Sequence, residues 1–300
     1  MYKNYISVLT ESDITFIKDE PMCHHTSFNI GGPCDLFVIP DSVDKLKEAY
    51  AAAKKEGIKT YILGKGSNVL FPDEGYNGVV ISTKNLKSVS VKGNVLHAES
   101  GASFTHIAAV ARDAGLSGLE FAYGIPGSVG GAVYMNAGAY GGQVSDCLFG
   151  SAAFDPVSGH IIYTDAEEHE FGYRTSIYKK DPEKVILSAD FELTPEEKDA
   201  ISAKMDDFMG RRRDKQPLEY PSAGSVFKRP EGHFVGQMIE ELGLKGYTVG
   251  GAQISVKHAG FIINVGGATA ADVKALIEYI KTKVFEAYDV MLECEVIFVK

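Results

Sequence analysis

At 300 residues the chain exceeds the size of one small domain, and because domains cluster at about 100 to 150 residues, two or three are expected. Apolar residues make up 45% and charged residues 23%, and 32 glycines stand against 11 prolines, the profile of a folded, loop-rich protein rather than a disordered one. A formal net charge of -10 argues against nucleic acid as the main ligand, while a local basic pocket could still hold a phosphorylated small molecule.

The start, Met1-Tyr2-Lys3-Asn4-Tyr5, leads into polar and acidic residues and does not resemble a signal peptide. No apolar run approaches the roughly 20 residues a membrane helix requires, so a soluble, cytoplasmic chain without membrane insertion is expected. Cys23, Cys34, Cys147 and Cys294 are scattered without a C-x-x-C pair, which supports neither a disulfide framework nor a metal site.

After a polar N-terminal segment, residues 35–40 read as a strand, and Asp41 or Ser42 caps a helix that runs to about Glu56, where Gly57 ends it. Residues 61–63 form the next strand of a β-α-β unit and deliver the loop Gly64-Lys65-Gly66-Ser67-Asn68 at its end. Short strands at 79–81, 89–91 and 95–98 precede a helix from Phe104 to Ala114, with Phe104, Ile107, Ala108 and Ala111 on one face. A glycine-rich stretch follows from Gly124 to Gly142, then strands up to 185–187 and 191–193. Thr194-Pro195-Glu196-Glu197 combines an N-cap, a proline at the first helical position and a reciprocating Glu, which predicts a helix from here towards Arg213 and a domain boundary at 193/194. The last third is expected to hold a helix at 234–242, strands at 253–256 and 261–265, a helix from Thr269 to about Glu286, and a closing strand from Val290 to Val299. Val273, Leu276, Ile277, Ile280 and Val284 form the buried stripe of that last helix.

Two glycine-rich segments carry the first chemistry. In Gly64-Lys65-Gly66-Ser67-Asn68-Val69 two glycines let successive N–H groups converge on an anion, and Ser67 and Asn68 add side-chain donors, which suits a diphosphate. The spacing matches neither a Rossmann fingerprint nor a P-loop, and a plain structural turn is the alternative. In Gly124-Ile125-Pro126-Gly127-Ser128-Val129-Gly130-Gly131, continuing through Asn136-Ala137-Gly138, glycine permits backbone to lie against a flat or phosphorylated ligand, though such a run can equally be a structural loop.

These two loops, in this order, resemble the FAD-binding domain of the UDP-N-acetylenolpyruvoylglucosamine reductase (UDP-N-acetylmuramate dehydrogenase) family. Three further motifs extend the resemblance over most of the chain: Gly172-Tyr173-Arg174-Thr175-Ser176, Ala223-Gly224-Ser225-Val226-Phe227-Lys228, and Leu292-Glu293-Cys294-Glu295-Val296. The stretch from Ser176 to Val185 is short and resembles the family's second type, which lacks an inserted tyrosine-bearing loop. The resemblance implies an α+β fold: an FAD-binding region of the PCMH/vanillyl-alcohol-oxidase type over residues 1–193, in two subdomains divided near 82, and a substrate-binding domain over 194–300. It also implies non-covalent FAD, NADPH as co-substrate, a UDP-sugar substrate and a step in peptidoglycan precursor synthesis, with a monomer expected.

The implied reaction moves a hydride from flavin N5 to the enolpyruvyl methylene carbon of UDP-N-acetylglucosamine enolpyruvate, then a proton to the adjacent carbon. Arg174 offers a planar, permanently charged donor fork for the enolate-like charge on the substrate carboxylate. Glu295 shares that task and Ser225 is the implied proton donor. Glu293 lies on the same face of the closing strand by alternation, and Glu295 is chosen because the family's Glu directly precedes Val. Tyr173, Lys228, Arg229 and His258 are the expected substrate-binding residues; Lys228 and Arg229 suit phosphate, and a structural role for His258 is the alternative. The basic run Arg211-Arg212-Arg213 either guides phosphates or is a solvated helix end. Two other functions stay open on the residues alone: an oxidase of the same architecture, whose reduced flavin would react with oxygen and not with the enolpyruvyl sugar, and a flavin-binding regulator, which would tolerate loss of Ser225 and Glu295.

Overall fold

In the computed structural model, which describes residues 2–300, the chain passes back and forth between two units. The first takes in the chain up to Lys18, Leu36–Lys65 and Gly78–Arg211; the second takes in Asp19–Asp35, Gly66–Asn77 and Arg212–Lys300. The units are built from alternating segments, because the strands Thr15–Pro21, Pro33–Ile39 and Tyr76–Ser82 each carry the chain from one to the other. Helices and largely antiparallel sheets give the expected α+β class.

In the first unit the polar N-terminal segment folds as helix α1 (Lys3–Glu11), which buries Tyr5 and Leu9 one turn apart. Helix α2 (Val43–Lys55) starts where Ser42 accepts a hydrogen bond from the Lys45 N–H at 3.3 Å, and its Leu46, Ala49, Tyr50 and Ala53 form a buried stripe. The strand that follows, Thr60–Leu63, pairs parallel with Tyr76–Ser82 and so completes the β-α-β unit. A five-stranded antiparallel sheet has the spatial order Ile161–Asp165, Leu148–Phe154, Val185–Glu192, Val95–Glu99, Val89–Lys92. Helices α3 (Phe104–Asp113) and α4 (Val129–Met135) pack in the core of this sheet through Phe104, Ile107, Ala108, Ala111, Val129 and Val133. Helix α5 (Ile177–Lys180) is a single turn, and α6 (Lys198–Lys215) adds Ile201 and Met205 to the same core.

Two expectations change here. Thr194-Pro195 does not open a helix: the pair forms a short antiparallel bridge to Leu116–Ser117, the Glu196 N–H donates to Gly115 O at 3.0 Å, and α6 begins at Lys198. The local capping signal is overridden by nonlocal strand pairing. The glycine-rich stretch contains a helix, α4, despite Gly130 and Gly131, because both glycines fall in its first turn and Ser128 caps it.

In the second unit the sheet runs Ser222–Ser225, Phe261–Asn264, Ala252–Ile254, Thr248–Val249. Helices α7 (Val235–Glu241) and α8 (Ala270–Tyr288) share its core through Met238, Ile239, Val273, Leu276, Ile277 and Ile280. Thr269 and Asp272 form a reciprocal capping box at the start of α8, and the Asp73 carboxylate accepts from the N–H groups of Ala270 at 2.6 Å and Ala271 at 2.9 Å. The expected closing strand is reduced to Ile297–Phe298, because residues 293–295 pair with a different partner from residues 297–299.

A buried polar chain lies behind the five-stranded sheet. His169 hydrogen-bonds through Nδ1 to Asp165 O at 2.8 Å and through Nε2 to Ser151 Oγ at 2.8 Å, and Ser151 meets the Tyr178 hydroxyl at 2.6 Å. Burial holds the His169 ring below the usual imidazole pKa of 6.5. Below that value the unfolded chain binds a proton that the folded ring resists, so stability is intact above about pH 6.5 and falls as pH drops towards the folded-state pKa. His169→Gln is therefore expected to flatten the decline of unfolding free energy as pH falls below about 6.5 in urea titrations; an unaltered slope would show that His169 titrates alike in both states. Ile277→Ala, at a position 1% exposed, is expected to lose about 2 to 5 kcal/mol in the same assay.

Candidate active site

The loop Gly64–Asn68 leaves the strand Thr60–Leu63 and enters the short strand Val69–Leu70. Gly66 has φ 63, and a Cβ there would lie 2.1 Å from His25 O, so both backbone conformation and space exclude a side chain. The amides of Gly66, Ser67 and Asn68 donate to no group among the described residues, which leaves consecutive N–H groups for an anion. This fits a diphosphate-bearing cofactor. In the first unit Lys65 Nζ donates to Ser103 Oγ at 2.8 Å, and a Cβ on Gly64 would lie 2.2 Å from Ser128 Oγ, so the first loop touches the start of the second glycine-rich segment.

That segment is more tightly engaged than its composition implied. Ile125 N–H donates to Ala122 O, Gly127 O accepts from the Phe104 N–H, Pro126 is exposed, and Gly124 has φ 83. The Val129 and Gly130 amides donate to Ala102 O at 2.9 Å and Ser100 O at 2.8 Å, and a Cβ on Gly130 would lie 2.9 Å from Ser100 Cβ. Gly130 thus serves close packing of α4, whereas Gly131 is exposed. Asn136 ends α4 with φ 43, and its buried side chain accepts from Ser145 N–H at 3.0 Å and donates to Gly172 O at 3.1 Å. Ala137 O accepts from Val144 N–H at 3.0 Å, and Gly138 pairs with Gln143.

Tyr173 and Arg174 sit at the tip of a tight turn closed by reciprocal hydrogen bonds between Gly172 and Thr175 at 3.2 and 3.3 Å. Arg174 has φ 57, a left-handed conformation costly for a side chain of its size. Its Nη2 donates to Gly138 O at 3.1 Å, and its guanidinium carbon lies 5.1 Å from the centroid of the half-exposed Tyr173 ring. The turn is further held by Ser176 Oγ, which donates to Tyr134 O at 2.9 Å, and by Lys179 Nζ, which donates to Arg174 O at 2.7 Å.

Ser225 and Glu295 belong to the second unit and lie on neighbouring segments of one hydrogen-bonded ladder. Ser222 pairs with Ile263 and Ser225 with Phe261, so the strand carries one extra residue, a bulge at Ala223-Gly224 with Gly224 at φ 76. The bulge leaves Ser225 exposed between the buried Ala223 and Val226. Glu295 N–H donates to Val226 O at 2.8 Å and Lys228 N–H to Glu293 O at 2.8 Å, an antiparallel pairing that brings residues 293–295 beside 226–228. Glu295 O in turn accepts from Asn68 Nδ2 at 3.1 Å, and Ile297 pairs with Val69. Lys228 Nζ pairs with the Glu293 carboxylate, which separates the exposed Glu293 from the half-buried Glu295.

The other expected site residues have partners of their own. Arg229 stacks on Phe234, its guanidinium carbon 3.8 Å from the ring centroid. The His258 ring accepts from Gly260 N–H at Nδ1 at 3.1 Å, and burial lowers its pKa below the usual imidazole range. In the basic run, Arg211 pairs with Asp207 at 2.7 Å and Arg212 is buried with Nη1 on Gln216 at 3.0 Å. Two residues not singled out by sequence, Ser27 and Lys179, organise these clusters. Ser27 donates its N–H to Gly66 O at 3.0 Å and its hydroxyl to Ser222 O at 2.6 Å, tying the Gly64–Asn68 loop to the Ser225 strand. Lys179 holds the Arg174 turn together with Ser176 of the Tyr173-Arg174 motif, and the local signal for Lys179 is a Ser-x-x-Lys spacing at the start of a short helix. Among the described residues no group of three or more His, Cys, Asp or Glu could hold a metal ion.

Residues 34–165 match the family described as an FAD binding domain, and residues 216–299 match that described as the UDP-N-acetylenolpyruvoylglucosamine reductase C-terminal domain. The UDP-N-acetylenolpyruvoylglucosamine reductase of Syntrophomonas wolfei is 50% identical over 279 residues, 93% of each chain. That of Clostridium botulinum is 46% identical over 297 residues, 98% of this chain and 96% of its own. The crystal structure of the enzyme from Thermus caldophilus superposes with a TM-score of 0.82 at 33% identity, covering 96% of this chain and 99% of that one. Two domain matches in chain order, and identities of this size over nearly the full length of both partners, establish that the chain belongs to the UDP-N-acetylenolpyruvoylglucosamine reductase family.

Proposed function

We propose that Arg174, Ser225 and Glu295 perform the chemistry of this family on this chain. The chain is an FAD-dependent oxidoreductase that reduces UDP-N-acetylglucosamine enolpyruvate to UDP-N-acetylmuramate in peptidoglycan precursor synthesis, with NADPH as reductant. The observation that carries the assignment of residues is the ladder of 226–228 with 293–295, which sets Ser225 and Glu295 on adjacent hydrogen-bonded segments, each within its family motif.

FAD, when bound, supplies hydride transfer, from NADPH and then to the enolpyruvyl methylene carbon. The amides of Gly66, Ser67 and Asn68 would hold its diphosphate, with Gly64, Lys65, Val69 and the segment from Gly124 to Gly138 completing the cofactor site. Arg174 binds the substrate carboxylate and stabilises the charge that grows there as hydride adds to the methylene carbon, before the adjacent carbon is protonated. Glu295 assists at the same carboxylate, and the exposed Ser225 hydroxyl delivers a proton to the carbon adjacent to it. Tyr173, Lys228 and Arg229 complete the substrate site; Lys228 would exchange its bond to Glu293 for a phosphate of the nucleotide sugar. The division into a cofactor region over 1–193, subdivided near 82, and a substrate region over 194–300 belongs to this reading, and the two domain matches fall on either side of it. Action as a monomer in the cytoplasm also belongs to this reading; among the described residues no helix is long and apolar enough to cross a membrane.

The direct test is an anaerobic flavin spectrum of the purified protein. NADPH is expected to bleach the bound flavin and UDP-N-acetylglucosamine enolpyruvate to restore it; recovery with oxygen alone would point instead to an oxidase. In the same assay Ser225→Ala is expected to leave bleaching nearly intact and to slow recovery by about 10²- to 10⁴-fold. Equal losses in both steps would make Ser225 structural. Glu295→Gln is likewise expected to spare bleaching and slow recovery, and an unchanged turnover would remove Glu295 from the site.

A further inference from the structure

Both carbonyls that flank the Tyr173–Arg174 segment are held by side chains. Gly172 O accepts from Asn136 Nδ2 at 3.1 Å, and Arg174 O accepts from Lys179 Nζ at 2.7 Å. Arg174, at φ 57, has a backbone that a long side chain keeps only when its surroundings over-determine it. An ammonium on a carbonyl is a charge-assisted bond, stronger than the neutral amide bond on the other flank. Lys179 is built into this position and is not a surface charge: it is half-buried, its Nζ lies 5.7 Å from the centroid of the Tyr134 ring, and its helix α5 is tied at the start by Ser176 Oγ on Tyr134 O at 2.9 Å. Arg174 Nη2 donates to Gly138 O at 3.1 Å, and the peptide that carries the side chain sets the point from which the guanidinium is aimed.

We propose that Lys179 is a positioning residue for Arg174, fixing the left-handed Arg174 peptide so that the guanidinium meets the substrate carboxylate in one orientation. The inference rests on the role given to Arg174 above. Lys179 then acts on the substrate half-reaction only, and only through Arg174.

The test measures both half-reactions anaerobically in the FAD-loaded enzyme, flavin bleaching by NADPH and flavin recovery with UDP-N-acetylglucosamine enolpyruvate, in Lys179→Met, Lys179→Arg, Arg174→Ala and the Arg174→Ala/Lys179→Met double variant. Displacement of a reacting group by about 1 Å can cost about 10²-fold, so Lys179→Met is expected to slow recovery by up to about 10²-fold while bleaching stays near wild type. Lys179→Arg, which keeps a charged donor, is expected to regain most of the rate. In the Arg174→Ala background the Lys179→Met change is expected to cost nothing further. Equal slowing of both half-reactions, or of neither, overturns the proposal. The same loss in both backgrounds also overturns it, by showing that Lys179 acts independently, while leaving the role of Arg174 intact. Normal recovery in Arg174→Ala alone would instead sink the reading on which the proposal rests. Should Lys179→Met not fold, Lys179→Gln carries the comparison, with selective slowing of recovery expected and uniform or absent slowing counting against.

Discussion

The C-terminal segment from Glu293 to Val299 hydrogen-bonds in succession to two stretches that lie far apart in the chain. Glu295 N–H and Glu293 O meet Val226 and Lys228, and two residues later Ile297 and Val299 donate to Asn68 O and Leu70 O at 3.0 Å each. One side of the segment is thus antiparallel to the strand that carries Ser225, and the other is parallel to the strand that leaves the Gly64–Asn68 loop. Backbone donors and acceptors in such a place must be paired or hydrated, so the switch of partner between residues 295 and 297 fixes where the Glu295 side chain can stand. Asn68 reinforces it, its amide spanning from the loop to Glu295 O at 3.1 Å. The proposed proton donor, the proposed carboxylate partner and part of the proposed diphosphate cradle therefore depend on one short ladder.

A comparable economy governs the Arg174 turn. Its backbone is strained, its tip is exposed at Tyr173, and nearly every group around it is satisfied: Gly172 O by Asn136 and Thr175, Arg174 O by Lys179, and Tyr134 O by Ser176. Immobilising a charged side chain before substrate arrives lowers the reorganisation needed when charge develops, which is where electrostatic catalysis gains most. The buried chain from Asp165 O through His169 and Ser151 to Tyr178 borders the same turn in sequence, with His169 before it and Tyr178 after it. Strain at the tip and full pairing at the base are two aspects of one construction.

Glycine serves two different ends in the cofactor-binding region. At Gly66 it permits a left-handed turn against His25 O and leaves the following amides without internal acceptors, as a phosphate cradle requires. At Gly130 it permits helix α4 to approach Ser100 so closely that the helix's first amides are consumed inside the protein. Composition makes these two positions look alike, and only the acceptors that face them distinguish an amide left without an internal acceptor from a packed one.

Much was legible in the sequence because it depends on neighbours along the chain. The caps at Ser42 and Thr269, the apolar stripes of α2, α3 and α8, and the order of the glycine-rich and polar motifs that mark the family are all local patterns, written in residue type and spacing. What tertiary structure alone decided is pairing between segments distant in the chain. It turned Thr194-Pro195 from a helix start into a bridge to Leu116–Ser117 and divided the expected last strand between two partners. It also recruited Ser27, a residue of ordinary appearance, and gave the Asn136 side chain to Gly172 O, holding the clusters in place. A hydrogen bond between remote segments leaves no periodicity or spacing behind in either one, so a single sequence determines which chemical groups are available, and the folded chain determines which of them are already engaged.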